Sequence, residues 1–235
     1  MKRWIWASVE SSNVVGYQKV AFSRGLTIVG QQFAAIGGGE ADIQTISGTN
    51  MDADGGDFIR IWNGTGYTDY NYYPGDTCDI NGDGSDAWGD EDWASAAEDI
   101  PAGTGMWINA ANDGTLTFVG EVSDTCTVSF SRGLNLICAP QPVDVTLQDV
   151  VGTGLDADGG DFIRIWNGAG YADYNYYPGD TCDIKGDGSD AWGDEDWSPV
   201  DVVIPAGTGF WLNAAGSGTL TFPNALDDGS DDFAE

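Results

Sequence analysis

Histidine is missing from this chain, and cations are scarce: Lys and Arg number 8 against 38 Asp and Glu, for a formal net charge of −30. Without histidine there is no Ser-His or Cys-His nucleophile and no imidazole-bound metal. A surface this acidic repels phosphate backbones and anionic membrane faces, which excludes nucleic acid as a partner. No apolar run approaches the roughly 20 residues that carry a helix across a bilayer, so no membrane span is expected. No glycine-rich phosphate loop follows a strand and opens a helix. Nothing singles out a glycosidase-type carboxylate pair among the acids. The chain reads as a non-enzyme.

Glycine (35 residues) and aromatics (10 Trp, 9 Tyr, 9 Phe) are abundant instead, and good helix formers are few. That mixture predicts short strands joined by tight turns, an all-β chain. The excess acid has two readings. Either a divalent cation sits among the carboxylates, or the charge only keeps an aromatic-rich exported protein soluble.

The chain repeats itself. Residues 51–93 and 155–197 align without gaps at an offset of 104, with 39 of 43 positions identical; only Met51/Leu155, Thr65/Ala169, Thr68/Ala172 and Asn81/Lys185 differ. Upstream, Phe22-Ser-Arg-Gly-Leu corresponds to Phe130-Ser-Arg-Gly-Leu at an offset of 108, so the first copy carries four extra residues near Ile36–Glu40. The organisation expected is an N-terminal arm 1–12, β-repeats 13–121 and 122–226, and an acidic tail 227–235. The fold class expected is a tandem duplication of two antiparallel β-sandwich or small-barrel domains. Three hairpins are expected in each: Lys19–Phe22 with Leu26–Val29, Phe58–Trp62 with Tyr67–Tyr73, and Gly105–Ala110 with Thr115–Val119. Glu91–Glu98 is the one candidate for a helical turn.

If Arg132 centres the first hairpin of the second repeat, Cys126 and Cys138 lie directly opposite one another, at a separation that suits a disulfide. Two buried thiols are the alternative. Cys78 and Cys182 are copies of one another and either pair or do not. The start Met1-Lys2-Arg3-Trp4-Ile5-Trp6 has the basic beginning of a signal peptide but too short an apolar stretch. Trp4, Ile5 and Trp6 are either a leader remnant or an assembly arm.

Asp79-Ile-Asn81-Gly-Asp83-Gly84-Ser85, closed by Asp90, has the calcium-loop spacing of oxygen ligands at positions 1, 3, 5, 7 and 12, with Gly at 6. The copy offers Asp183, Asp187, Ser189 and Asp194, but Lys185 replaces the position-3 ligand, so calcium is expected in the first loop and doubtful in the second. A solvated Asp/Gly turn is the alternative in both. Asp52-Ala-Asp54-Gly-Gly-Asp57 and its copy Asp156–Asp161 either add ligands or form a turn before a strand. Trp88 and Trp93, with Trp192 and Trp197, lie in these loops as candidates for stacking on sugar rings or for pinning the loops down. Trp62 and Trp107 lie within strand patterns and are expected in the core.

The acidic loops resemble those of EF-hand and dockerin modules over these twelve residues. Asn13-Val-Val-Gly-Tyr17, Gly-Leu-Asn-Leu-Ile at 133–137, Gly-Tyr-x-x-Tyr at 66–70 and Pro-Ala-Gly-Thr-Gly-Phe-Trp-Leu at 205–212 together are similar to a family of exported bacterial β-proteins with no assigned activity. That resemblance implies export and a β-fold. The function expected is an exported structural protein, a calcium-stabilised subunit that self-associates head-to-tail into an extracellular filament, surface layer or matrix. The alternative is a calcium-dependent glycan-binding or adhesion pair.

Overall fold

The computed structural model describes residues 14–39, 41–53, 56–123, 126–156 and 160–224; the arm with Trp4, Ile5 and Trp6, and the tail 227–235, lie outside them. The first repeat holds β1 (Val14–Phe22), β2 (Gly25–Gly30), β3 (Ser47–Thr49), β4 (Phe58–Trp62), β5 (Tyr67–Tyr73), β6 (Ala87–Gly89), β7 (Gly105–Ala110) and β8 (Gly114–Val122). The second holds β9 (Thr127–Phe130), β10 (Gly133–Cys138), β11 (Val145–Thr146), β12 (Val151–Thr153), β13 (Phe162–Trp166), β14 (Tyr171–Tyr177), β15 (Ala191–Gly193), β16 (Val203–Ile204), β17 (Gly209–Ala214) and β18 (Gly218–Thr221). The chain is all-β, built of small antiparallel sheets in the orders β1-β8-β3 and β2-β7-β4-β5-β6, then β9-β18-β12 and β10-β17-β13-β14-β15, with a short β11-β16 pair. Between Asp90 and Glu98 the backbone forms turns and a bridge at Ser95 rather than a helical turn.

Of the three expected hairpins only the middle one exists, with Phe58 opposite Asn71 and Trp62 opposite Tyr67. The other two are corners. β1 pairs with β8 and β2 with β7, so the chain crosses from one sheet to the other at Ser23-Arg24 while its partner crosses back at Ala111–Asp113. Two residues on one strand face three on the other, a bulge that supplies the bend. The Arg24 N–H donates to Asp113 Oδ1 at 2.7 Å and fixes the corner. Gly114 sits inside it, where a Cβ would lie 2.3 Å from the Thr49 carbonyl. Val20, Phe22, Leu116 and Phe118 from one sheet then share a buried cluster with Val29, Ile59, Met106 and Ile108 from the other.

The corner also overturns the Cys126–Cys138 disulfide. β9, which Cys126 precedes, pairs with β18, and β10, which ends at Cys138, pairs with β17, so the two residues belong to different sheets, and no disulfide joins any of the four cysteines. Cys138 is instead fully buried against the first repeat, its thiol donating to the Gln31 carbonyl at 3.2 Å, and burial pushes the thiol pKa up.

The two repeats meet along β2–β7 and β10–β17 in a reciprocal way. Val29 bridges Thr208 while Ile137, the counterpart of Val29, bridges Thr104. The Gly30 N–H donates to the Gly207 carbonyl at 2.8 Å, and the Cys138 N–H donates to the Gly103 carbonyl at 2.9 Å. Trp62 Nε1 donates to the Leu134 carbonyl and Trp166 Nε1 to the Leu26 carbonyl, at 2.8 and 3.1 Å. Trp62 packs edge-on against Trp211, and Trp107 against Trp166, with ring centroids 5.6 and 5.8 Å apart. Ile28, Trp107, Leu136 and Trp211 are buried between them. These bridges, hydrogen bonds and indole pairs come in mirror sets, as in a two-fold dimer fused into one chain.

An asymmetry is forced where equivalent positions face each other. A Cβ on Gly30 would lie 2.2 Å from Cys138 Cβ, so only one repeat can carry a side chain there. Gly30→Ala is therefore expected to lower stability by about 1–3 kcal/mol through overpacking. In a Cys138→Gly background most of that loss should vanish, read as a non-additive double-mutant cycle in urea unfolding. Additive losses would contradict the face-to-face placement.

Candidate functional site

β5 delivers the chain into the acidic loop and β6 returns it, with Asn71 opposite Gly89 and Tyr73 opposite Ala87. Proline 74 opens the loop with a turn, its carbonyl accepting from Thr77 N and Cys78 N. Asp79 then organises the next segment: its carboxylate accepts from the backbone N–H groups of Gly82, Asp83 and Gly84 at 2.7, 3.1 and 2.9 Å. Gly82 and Gly84 take left-handed φ values of 74° and 78°, which makes this wrap possible. Asp83 accepts from the hydroxyl and backbone N–H of Ser85, which hold its carboxyl below the usual range. Asn81 Nδ2 donates to Ser85 Oγ at 3.3 Å.

Asp90, the closing position of the calcium spacing, is turned elsewhere. Its Oδ1 accepts from Asp92 N and Ala94 N at 3.0 and 2.9 Å, so it caps the turn that follows β6. Among the described residues no group of three or more acidic or cysteine side chains is gathered as a metal-ligand set. Asp79, Asn81, Asp83 and Ser85 thus share one turn and Asp90 does not join them. The second loop repeats this with Asp183, Asp187, Ser189 and Asp194, and Lys185 Nζ donates to the Asp190 carbonyl at 3.0 Å. Asp57 and Asp161 are buried. Asp57 accepts from Asp52 N and Ala111 N at 2.8 and 2.6 Å, which ties the turn before β4 to the end of β7.

The four loop tryptophans separate into two kinds. Trp88 and Trp192 are 2% and 1% exposed, so neither offers a ring face to a sugar. Their indole N–H groups donate to the Ile46 and Val150 carbonyls, and Tyr72 and Tyr176 pack edge-on against them. Asp86 secures this floor, accepting from the Tyr72 hydroxyl at 2.6 Å and from Gly75 N at 3.0 Å, and burial together with Asp86 pushes the tyrosine pKa up.

Trp93 and Trp197 are the opposite case. Each is 63% exposed, and each holds a left-handed backbone, with φ of 65° and 63°. A bulky residue there is strained, and the surrounding turn holds it in place. Trp93 N donates to the Asp90 carbonyl, Asp90 N to the Ala94 carbonyl, and the Asp90 carboxylate caps the turn from inside. Tyr73 lies beneath the indole at 5.5 Å, and its hydroxyl donates to the Asp90 carbonyl at 2.9 Å. Beside the turn is an open cleft of about 470 Å³ lined by Tyr67, Thr68, Asp69, Asn71, Asp90 and Glu91. Asp69 of this cleft forms a bidentate pair with Arg60 at 2.6 and 2.7 Å. The arrangement offers an apolar ring face flanked by hydrogen-bond acceptors.

Comparison of the chain with protein-family models, with curated proteins and with solved structures finds no match. Among the described residues no helix is long and apolar enough to cross a membrane.

The backbone strain separates two substitutions that both remove the ring. Trp93→Gly is expected to be about 1 kcal/mol more stable than Trp93→Ala in thermal or urea unfolding, because only alanine keeps the left-handed penalty. Equal stabilities would show that the turn relaxes once the indole is gone.

Proposed function

We propose that the chain is an exported, non-catalytic binding protein that presents two equivalent tryptophan turns to a glycan surface. The observation that carries this reading is the pair of exposed indoles at Trp93 and Trp197, held in a costly backbone conformation in both repeats. An indole face covers the C–H face of a sugar ring, and the flanking carboxylates accept from its hydroxyls. The buried cluster that residues of each three-stranded sheet share with its five-stranded partner supports reading each repeat as one corner-folded sandwich. The export part of the proposal rests on the resemblance of the Asn13–Tyr17 and 205–212 segments. Calcium enters as a stabiliser of the first loop through Asp79, Asn81, Asp83 and Ser85, with water completing its shell.

The self-assembling structural reading stands second. It is supported by β1, an edge strand of its sheet whose Val15 and Tyr17 face outward beside Val119, a pattern open to strand addition. It cannot use the seam between the repeats, because a two-fold interface closes on itself and does not propagate.

A glycan array probed with the intact chain, with and without chelator, is the first test. Because the seam joins the two turns into one molecule, avidity is expected on a surface. Trp93→Ala should leave one-to-one binding of a soluble oligosaccharide at Trp197, yet weaken retention on the insoluble polysaccharide by about tenfold or more. Trp93→Ala/Trp197→Ala should remove both. Unchanged retention in the double variant would rule the reading out.

A further inference from the structure

The closed seam leaves two grooves, one at each end of the two-fold arrangement. One, of about 360 Å³, is lined by Arg24, Leu26, Thr27, Trp166 and Asn167. Its counterpart, of about 450 Å³, is lined by Arg132, Leu134, Asn135, Trp62 and Asn63. What sets them apart is charge. In a chain with 38 acidic residues, neither groove has an Asp or Glu in its lining, whereas the cleft beside Trp93 holds Asp69, Asp90 and Glu91 and the one above Tyr72 holds Asp52, Asp76 and Asp86.

The arginines are also uncommitted. Among the described residues the ion pairs are Arg60–Asp69 and Arg164–Asp173, and neither Arg24 nor Arg132 takes part in one. A neighbouring asparagine lines each groove, Asn167 in one and Asn63 in the other. Asn63 Oδ1 accepts from Thr65 N and Gly66 N, and Asn167 Oδ1 from Ala169 N and Gly170 N, so each Nδ2 is the amide group not used by the turn. The indoles are fixed across the seam by their Nε1–H bonds, which keeps their rings in the groove walls. Each groove therefore combines one guanidinium, one amide donor and one immobilised aromatic ring.

We propose that these seam grooves are a pair of binding sites for a ring compound bearing a single carboxylate, of which an acidic sugar such as a uronic acid uses all the groups present. The guanidinium takes the carboxylate through two parallel N–H bonds, the indole takes the ring face, and the asparagine donates to a hydroxyl oxygen. A polyanion is excluded by the surrounding acid, so the ligand is an isolated acidic residue in a neutral chain or at its end. The two grooves differ in one respect: Asp113 stands behind Arg24, bonded to its backbone N–H, and the corresponding residue behind Arg132 is Ser217. The Arg132 groove is the tighter site.

The proposal is independent of Trp93 and Trp197, and one spectrum separates the two. In the ¹H–¹⁵N spectrum of the intact chain, methyl glucuronide should shift the indole N–H resonances of Trp62 and Trp166, Trp62 at lower concentration. Methyl glucoside should be at least about tenfold weaker at both. Arg24→Gln should abolish the Trp166 response alone and Arg132→Gln the Trp62 response alone, each variant keeping the spectrum of a folded chain. Equal responses to the two sugars, or responses that survive in Arg24→Gln/Arg132→Gln, would overturn the proposal. So would movement confined to Trp93 and Trp197, which would leave the tryptophan-turn reading standing.

Discussion

The packing of β2–β7 on β10–β17 is the contact on which the rest depends. Four buried side chains, Ile28, Trp107, Leu136 and Trp211, and two indole N–H bonds that each cross to the other repeat, make two homologous halves into one body. Large aromatics dominate the energetics of such contacts, and here they bury themselves in edge-to-face pairs. The reciprocity has a cost at the centre. Equivalent residues meet there, and Gly30 against Cys138 is the solution that lets backbone approach backbone. The seam also fixes how the two tryptophan turns stand relative to one another, and the proposed bivalent attachment to a surface relies on that. Because it closes on itself, any growth into a filament would have to use some other surface, such as β1.

Much of this was legible in the residues. The all-β class followed from glycine, aromatics and turn chemistry, and the Phe58–Tyr73 hairpin followed from its alternation and its Asn-Gly loop. The corners were not legible. Phe22-Ser-Arg-Gly-Leu has the apolar flanks and the glycine of a hairpin turn, and local sequence does not say whether the strands on either side pair with each other or with a third and fourth strand. That long-range choice belongs to β7 and β8, some 80 residues away, and the disulfide inferred from hairpin register fell with it. The signal that pointed away from a hairpin was present: Ala111-Asn-Asp-Gly114 reads as a second turn, and two turns facing one another are what a folded-over strand pair needs.

The acidic loop was half legible. Asp79, Asp83 and the two glycines share a turn, as their spacing requires, but Asp90 lies beyond a β-strand and serves a different one. The loop tryptophans were treated alike in sequence, although their neighbours distinguish them. Trp88 stands between Ala87 and Gly89 in a short apolar segment and is buried, while Trp93 follows Asp90-Glu-Asp and is exposed. The role of Trp62 and Trp166 in joining the repeats had no sequence signature beyond their recurrence, because a core tryptophan and an interface tryptophan look the same when the partner surface is another copy of the unit.

The most direct measurement of the central claim is differential scanning calorimetry of the whole chain. If the seam unites the repeats, they unfold together in a single transition whose calorimetric enthalpy equals its van't Hoff enthalpy. Two resolved transitions, or a calorimetric enthalpy near twice the van't Hoff value, would mean that each repeat unfolds alone, and the seam would not be the interaction that holds the molecule and its paired tryptophans in place.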